Sequence, residues 1–223
     1  MATHPFTLSP RHLVILSLLL LTPVLSAQTT RSTTTRSTPS TKPAVDRSSP
    51  EKTWTALCNS VKAGDLAAFR ACYYNKNEVC TLFMNTYSDL VVTSFQLATA
   101  MAPMGADGTD MVKALTSAYS DMIKSGQNRK TIITGDTAKW TKTVRDEKGV
   151  TEETMHFKKV GNDWLVDTEQ LLNLDTAKGR QAAEEFIATS APTLKALKAV
   201  LADIQAKKIT TVAQVRARLS TPR

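Results

Sequence analysis

The hydrophobic period of this chain switches from helical to alternating near residue 130 and back to helical after residue 167, and those switches restrict the folds open to it. From residue 54 to residue 126 apolar side chains return every three or four positions, and from residue 130 to residue 167 they alternate. Helices gathered first and strands gathered afterwards specify an α+β protein, because a parallel α/β sheet would interleave the two periods.

The helical half divides at its glycines. Trp54, Leu57, Cys58 and Val61 lie on one helical face, Gly64 ends that helix, and Asp65 caps a second carrying Leu66, Phe69 and Tyr73. A longer helix is expected from about Val79 to Ala102, with Leu82, Phe83, Tyr87, Leu90, Val91, Phe95 and Ala98 at helical spacing. The stretch PMGADG interrupts it, and Thr109 or Asp110 is the expected cap of a further helix with Met111, Leu115, Tyr119 and Met122, closed by Gly126. These Met and aromatic stripes read as core packing.

The strand half is punctuated by turns. KTIIT is rich in β-branched residues, Gly135-Asp136 suits a two-residue hairpin, and TAKWTKTVRDE is the return strand, with Ala138, Trp140, Lys142 and Val144 on one face. After a turn at Glu147-Lys148-Gly149, ETMHFKKV sets Met155 and Phe157 together and turns Thr154, His156 and Lys158 the other way. Gly161-Asn162-Asp163 leads into WLVD. The expected fold is therefore α+β: N-terminal helices packed on a curved antiparallel meander of about four strands, with a C-terminal helical extension. In that extension Phe186 and Ile187 mark one segment, and Ser190 caps a second with Pro192 in its first turn. Leu194, Leu197, Val200, Leu201 and Ile204 form the second segment's stripe, and Val212, Val215 and Leu219 mark a third.

The N-terminal 27 residues read as a secretory signal, with Arg11 and His12 ahead of the apolar run LVILSLLLLTPVLSA. That run is shorter than the roughly 20 residues a membrane span needs. Cleavage is expected after Ser26 or Ala27. Residues 28–50 are dominated by Thr, Ser and Pro and read as a disordered linker, glycosylated or wall-spanning; 51–170 form the α+β domain and 171–223 the helical extension. The expected location is extracytoplasmic, secreted or periplasmic.

Charge is distributed unevenly over these parts. The net +8 includes +3 on the linker and +1 on the signal; residues 51–172 hold 14 basic and 15 acidic side chains, and residues 173–223 hold 9 and 4. A near-neutral domain with no nucleic-acid motif excludes nucleic acid as an expected partner.

Three cysteines, Cys58, Cys72 and Cys80, fall early in the domain. Counting outward from Gly64, Cys58 lies six residues before the turn and Cys72 eight after it. Antiparallel helices would set them side by side, so Cys58–Cys72 is the expected disulfide after export, Cys72–Cys80 the second choice and three buried thiols the third reading. A bond closing that loop of about 15 residues would contribute roughly 3 kcal/mol in the chain-entropy account.

Three stretches, KAGDLAAF (62–69), GDTAKW (135–140) and FKKVGNDWLV (157–166), resemble exported bacterial domains of unknown function in the nuclear transport factor 2-like superfamily, whose fold is a cone-shaped α+β arrangement. The resemblance covers about residues 54 to 167 and rests on turns and core positions. It implies a fold shared by dehydratases, isomerases, hydrolases and non-catalytic binding domains, so it selects no activity.

The chemistry-bearing residues are sparse. His156 is the one histidine left after signal removal, and its strand parity turns it away from Met155 and Phe157. No catalytic residue, metal site or cofactor is expected: one His and three scattered cysteines do not make a zinc set, and neither a nucleophile elbow nor a phosphate loop occurs. Tyr87, Tyr119 and Trp140 are the candidate ligand-lining residues. Trp164 either closes the sheet's core or lines a pocket, with the core preferred. The leading functional reading is an exported, non-catalytic domain binding a small apolar ligand or an envelope partner. Alternatives are a lyase- or isomerase-type enzyme with a carboxylate base in the cone, and a surface-assembly module. A homodimer is compatible with these readings, as is contact of the basic tail with membrane or wall.

Overall fold

The computed structural model describes residues 45–146 and 149–220. The expected signal, its cleavage sites, linker residues 28–44 and the two leading residues of the Glu147-Lys148-Gly149 turn lie outside the described residues.

Helix α1 (Pro50–Ala63) starts where Ser49 caps it, with proline at the first helical position, and ends where Gly64 takes a φ of 65°. Asp65 then caps α2 (Leu66–Arg70), its carboxylate accepting from the Ala68 N–H at 3.1 Å. The chain runs on through β1 (Tyr73–Tyr74), α3 (Glu78–Met101) and a 3₁₀ turn (Ala102–Met104) to α4 (Ala106–Ser125). This last helix begins ahead of the expected caps Thr109 and Asp110. The corner between α3 and α4 is so tight that a Cβ on Gly108 would sit 1.9 Å from the Met101 carbonyl oxygen, and glycine lets α4 start inside that corner.

The sheet follows as β2 (Lys130–Thr134), β3 (Thr137–Asp146), β4 (Gly149–Val160) and β5 (Asp163–Asp167). Its order is β1-β5-β4-β3-β2, antiparallel except for β1, which pairs parallel to β5 through Tyr73 opposite Val166 and Tyr74 opposite Asp167. Five strands replace the expected four. Two residues cannot show a period, and Tyr73, expected on a helix, was legible only as buried. Residues 45–49, at the end of the expected linker, run beside β5: the Arg47 carbonyl accepts from the Trp164 N–H at 2.7 Å, and the Arg47 guanidinium pairs with Asp163 at 2.6 Å.

One core lies between the helices and the inner face of the sheet. Ala138 stands opposite Phe157 and Trp140 opposite Met155, and all four are buried with Trp164 and Val166 under Leu57, Phe69, Phe83 and Met84. Trp164 is thus a core residue. Thr53, fully buried on α1, donates its hydroxyl to the Trp164 carbonyl and so fastens helix to strand.

The extension differs from the expected pair of helices joined at Ser190. After α5 (Thr168–Leu172), a single 29-residue helix, α6 (Ala177–Gln205), carries Pro192 in its interior, and α7 (Val212–Ser220) closes the described chain. An interior proline removes one backbone hydrogen bond and costs about 3 kcal/mol. Packing on both sides of it holds the helix together. Phe186 meets Phe83 at a ring distance of 4.7 Å, and Leu197, Val200 and Leu201 build a second core with Leu97, Ala98 and Met101 of α3 and Val215 of α7. Helix α3 runs through both cores.

Candidate functional site

The interior offers aromatic packing where a cavity was conceivable. Trp140 is 2% exposed and Phe157 1%, their rings edge to face at 5.9 Å, with Trp54 meeting Trp140 from α1 at 5.8 Å. Arg129 lies over the Trp140 ring at 5.3 Å, its guanidinium held by Glu153 at 2.9 Å and by the Ser125 carbonyl at 2.7 Å. This cation joins the end of α4 to β4 across the top of the core.

The three expected ligand-lining residues have different neighbours. Tyr87 packs between Phe69 and Phe83, Trp140 is buried on the inner face of β3, and Tyr119 sits outside α1, where its hydroxyl meets the Asn59 side chain at 3.4 Å under the Lys62 ammonium. Burial pushes the Tyr87 phenol up to about 12 and raises that of Tyr73 well above its ordinary value, so neither is poised for proton transfer near neutral pH. A surface groove of about 480 Å³ beside α1, lined by Asp46, Lys52, Thr55, Asn59 and Asp65, contains none of the three. Among the described residues no group of three His, Cys, Asp or Glu side chains has metal-binding geometry.

The expected Cys58–Cys72 disulfide is not formed: all three cysteines are free and buried. The expectation extended α2 as far as Tyr73, but the helix stops at Arg70, so Cys72 lies in the turn into β1 and not on a helix antiparallel to α1. The Cys72 thiol donates instead to the Ala68 carbonyl at 3.3 Å. Burial, and then the neighbouring Cys72 thiol, push Cys58 up to about 12; burial pushes Cys72 to about 11.

The outer face of the sheet has the opposite character. Its described residues on β2 to β5 include Ile132, Lys139, Thr141, Thr154, His156, Lys158, Val160 and Leu165, and none is buried. Each stays at least partly open. Strand register sets Tyr74, Asp167, His156, Lys139 and Ile132 in one row across the five strands. His156 is half-buried in that row; burial and then the Lys139 charge hold its pKa below the usual histidine value, while Asp167 acts in the opposite sense. At one margin β2 is uncovered as well, with Ile132 45% and Ile133 57% exposed although they point to opposite faces.

The basic tail is paired in part where it packs. Lys198 pairs with Asp89 at 2.6 Å, Arg216 with Asp107 at 3.5 Å, and Lys208 and Arg218 both approach Asp203. Among the described residues no helix is long and apolar enough to cross a membrane. Sequence reasoning missed the Arg129–Glu153 pair and the open β2 margin. Twenty-four residues separate the first two, and only the fold joins them; KTIIT did carry the β-rich composition of the second.

Searched against family models, curated proteins and solved structures, the chain matches none.

Proposed function

We propose that this chain is an exported, non-catalytic domain that holds a protein partner of the cell envelope on the surface of its sheet. The supporting observation is the contrast between the two faces. The inner face is filled by Trp140, Met155, Phe157, Trp164 and Val166, each 5% exposed or less, whereas the outer face keeps every described side chain at least partly open. A small apolar ligand placed among these rings would have to displace them, at the cost that any disturbed close-packed core incurs. The resemblance to the nuclear transport factor 2-like superfamily enters as an analogy of fold, and fold does not choose between binding and catalysis.

The reading is tested with a photoreactive amino acid placed at His156 or Leu165 on the outer face, or at Glu185 on α6, in exported protein. Adducts with one envelope protein from the two sheet positions, and none from Glu185, are expected. Adducts with lipid or wall polymer from Glu185 alone would move the basic-tail reading ahead. Saturable, stoichiometric binding of a long-chain fatty acid that quenches tryptophan fluorescence would restore the apolar-ligand reading and overturn this one.

A further inference from the structure

The geometry points to β2 as a self-complementary edge on which a second copy of this chain docks antiparallel, extending the five-stranded sheet to ten. The inference rests on the reading that the sheet is the contact surface, and it names the occupant of one margin of it.

The hairpin decides which backbone groups are free. Thr134 and Thr137 flank the two-residue Gly135-Asp136 turn, so they form the hydrogen-bonded pair next to it. Alternation then assigns Ile132 and Lys130 to hydrogen bonding with β3 and turns the N–H and C=O groups of Thr131 and Ile133 outward, away from the sheet. Thr131 spends its hydroxyl on the Glu51 carboxylate of α1, which fastens β2 from inside and leaves its main chain untouched.

A two-fold axis through Ile132 satisfies those groups in one register. Thr131 of each copy then exchanges both backbone hydrogen bonds with Ile133 of the other, four bonds in all, and the two Ile132 side chains meet as the close pair of an antiparallel ladder. Side-chain charge agrees with this register. Lys130 falls opposite Thr134, and diagonally from it lies Asp136 of the second copy; both carry their charge on the outer face, where Asp136 already pairs with Lys158. No like charges face each other across the axis. Natural sheet edges are commonly blunted by shortness, proline, bulges or inward-pointing charge. The β1 margin has the first of these, being two residues long. Strand β2 has none, and carries its only charge, Lys130, at one end. Five residues make a contact smaller than a standard interface, so the dimer is expected to be weak, roughly micromolar.

Sedimentation of the purified chain through a dilution series, with amide hydrogen exchange at each end of it, tests the pairing. Thr131 and Ile133 amides should gain protection as concentration rises, whereas Ile132 and Thr134 amides, bonded to β3, stay protected throughout. Ile132→Lys places like charges at the axis and should weaken association at least about tenfold without changing the circular dichroism of the monomer. Val160→Lys, on the same face but away from β2, should leave association unchanged. If the chain stays monomeric into the sub-millimolar range, or dimerises with the same affinity in Ile132→Lys, the pairing is wrong. Adducts from His156 and Leu165 would still stand in that event, which separates failure of the dimer from failure of the partner-binding reading.

Discussion

Leu97→Ala tests whether the helical extension and the sheet domain form one cooperative unit. Leu97 is fully buried on α3, enclosed by Met101, Leu197, Val200 and Leu201. Three carbons leave in the substitution, and at ~0.8 kcal/mol for each buried carbon group this loses about 2.4 kcal/mol of transfer free energy. A close-packed site relaxes only in part, so the residual cavity raises the cost to ~3–4 kcal/mol. Domains of this size lose about 2–4 °C of melting temperature per kcal/mol, which predicts a fall of about 6–16 °C. Because α3 lines both cores, calorimetry should show the whole transition moving down as one peak. Val200→Ala, across the same contact, should couple to it, with a double-mutant interaction of about 0.5–3 kcal/mol. A fall of less than ~1 kcal/mol would refute the burial argument. A separate early transition that leaves the main peak in place would refute the claim that the two cores are one unit.

Gly126→Ala should destabilise by about 1–3 kcal/mol, since its Cβ would lie 2.4 Å from the Trp54 ring and 2.9 Å from that of Trp140; urea denaturation measures this, and an unchanged midpoint would contradict the packing. The His156 imidazole should titrate below its ordinary value of 6.5 by NMR, and Lys139→Gln should bring it back up. The unfolded chain takes up that proton more readily than the folded one, so the neutral imidazole's contribution is complete above about pH 6.5 and is lost as pH falls toward the folded value; a midpoint at or above the ordinary value would sink this. Cys58, Cys72 and Cys80 should resist thiol reagents in the native protein and all appear on denaturation without reductant. A cross-linked Cys58–Cys72 peptide would count against the free-thiol arrangement.

The class of fold, the glycine and Asp-cap boundaries of the first two helices, the hairpin at Gly135-Asp136 and the inward set Ala138, Trp140, Met155, Phe157 were legible because each depends on neighbours within a few positions. A cap needs a side chain three residues from its acceptor, and a strand face needs only alternation. Tertiary structure decided the rest through contacts that local pattern does not encode. Strand β1 exists because Cys72 and Tyr73 meet β5 about ninety residues later. Helix α6 passes through Pro192, which reads locally as a helix start, because Phe83 and Leu97 hold it on either side. Helix α2 stops short of Cys72, so the helix-pair counting behind the expected disulfide does not apply there, and the cysteines are free. For Tyr87, Tyr119 and Trp140 the sequence supplies residue type alone. The direction each points depends on what lies across the core, and sequence distance carries no information about that.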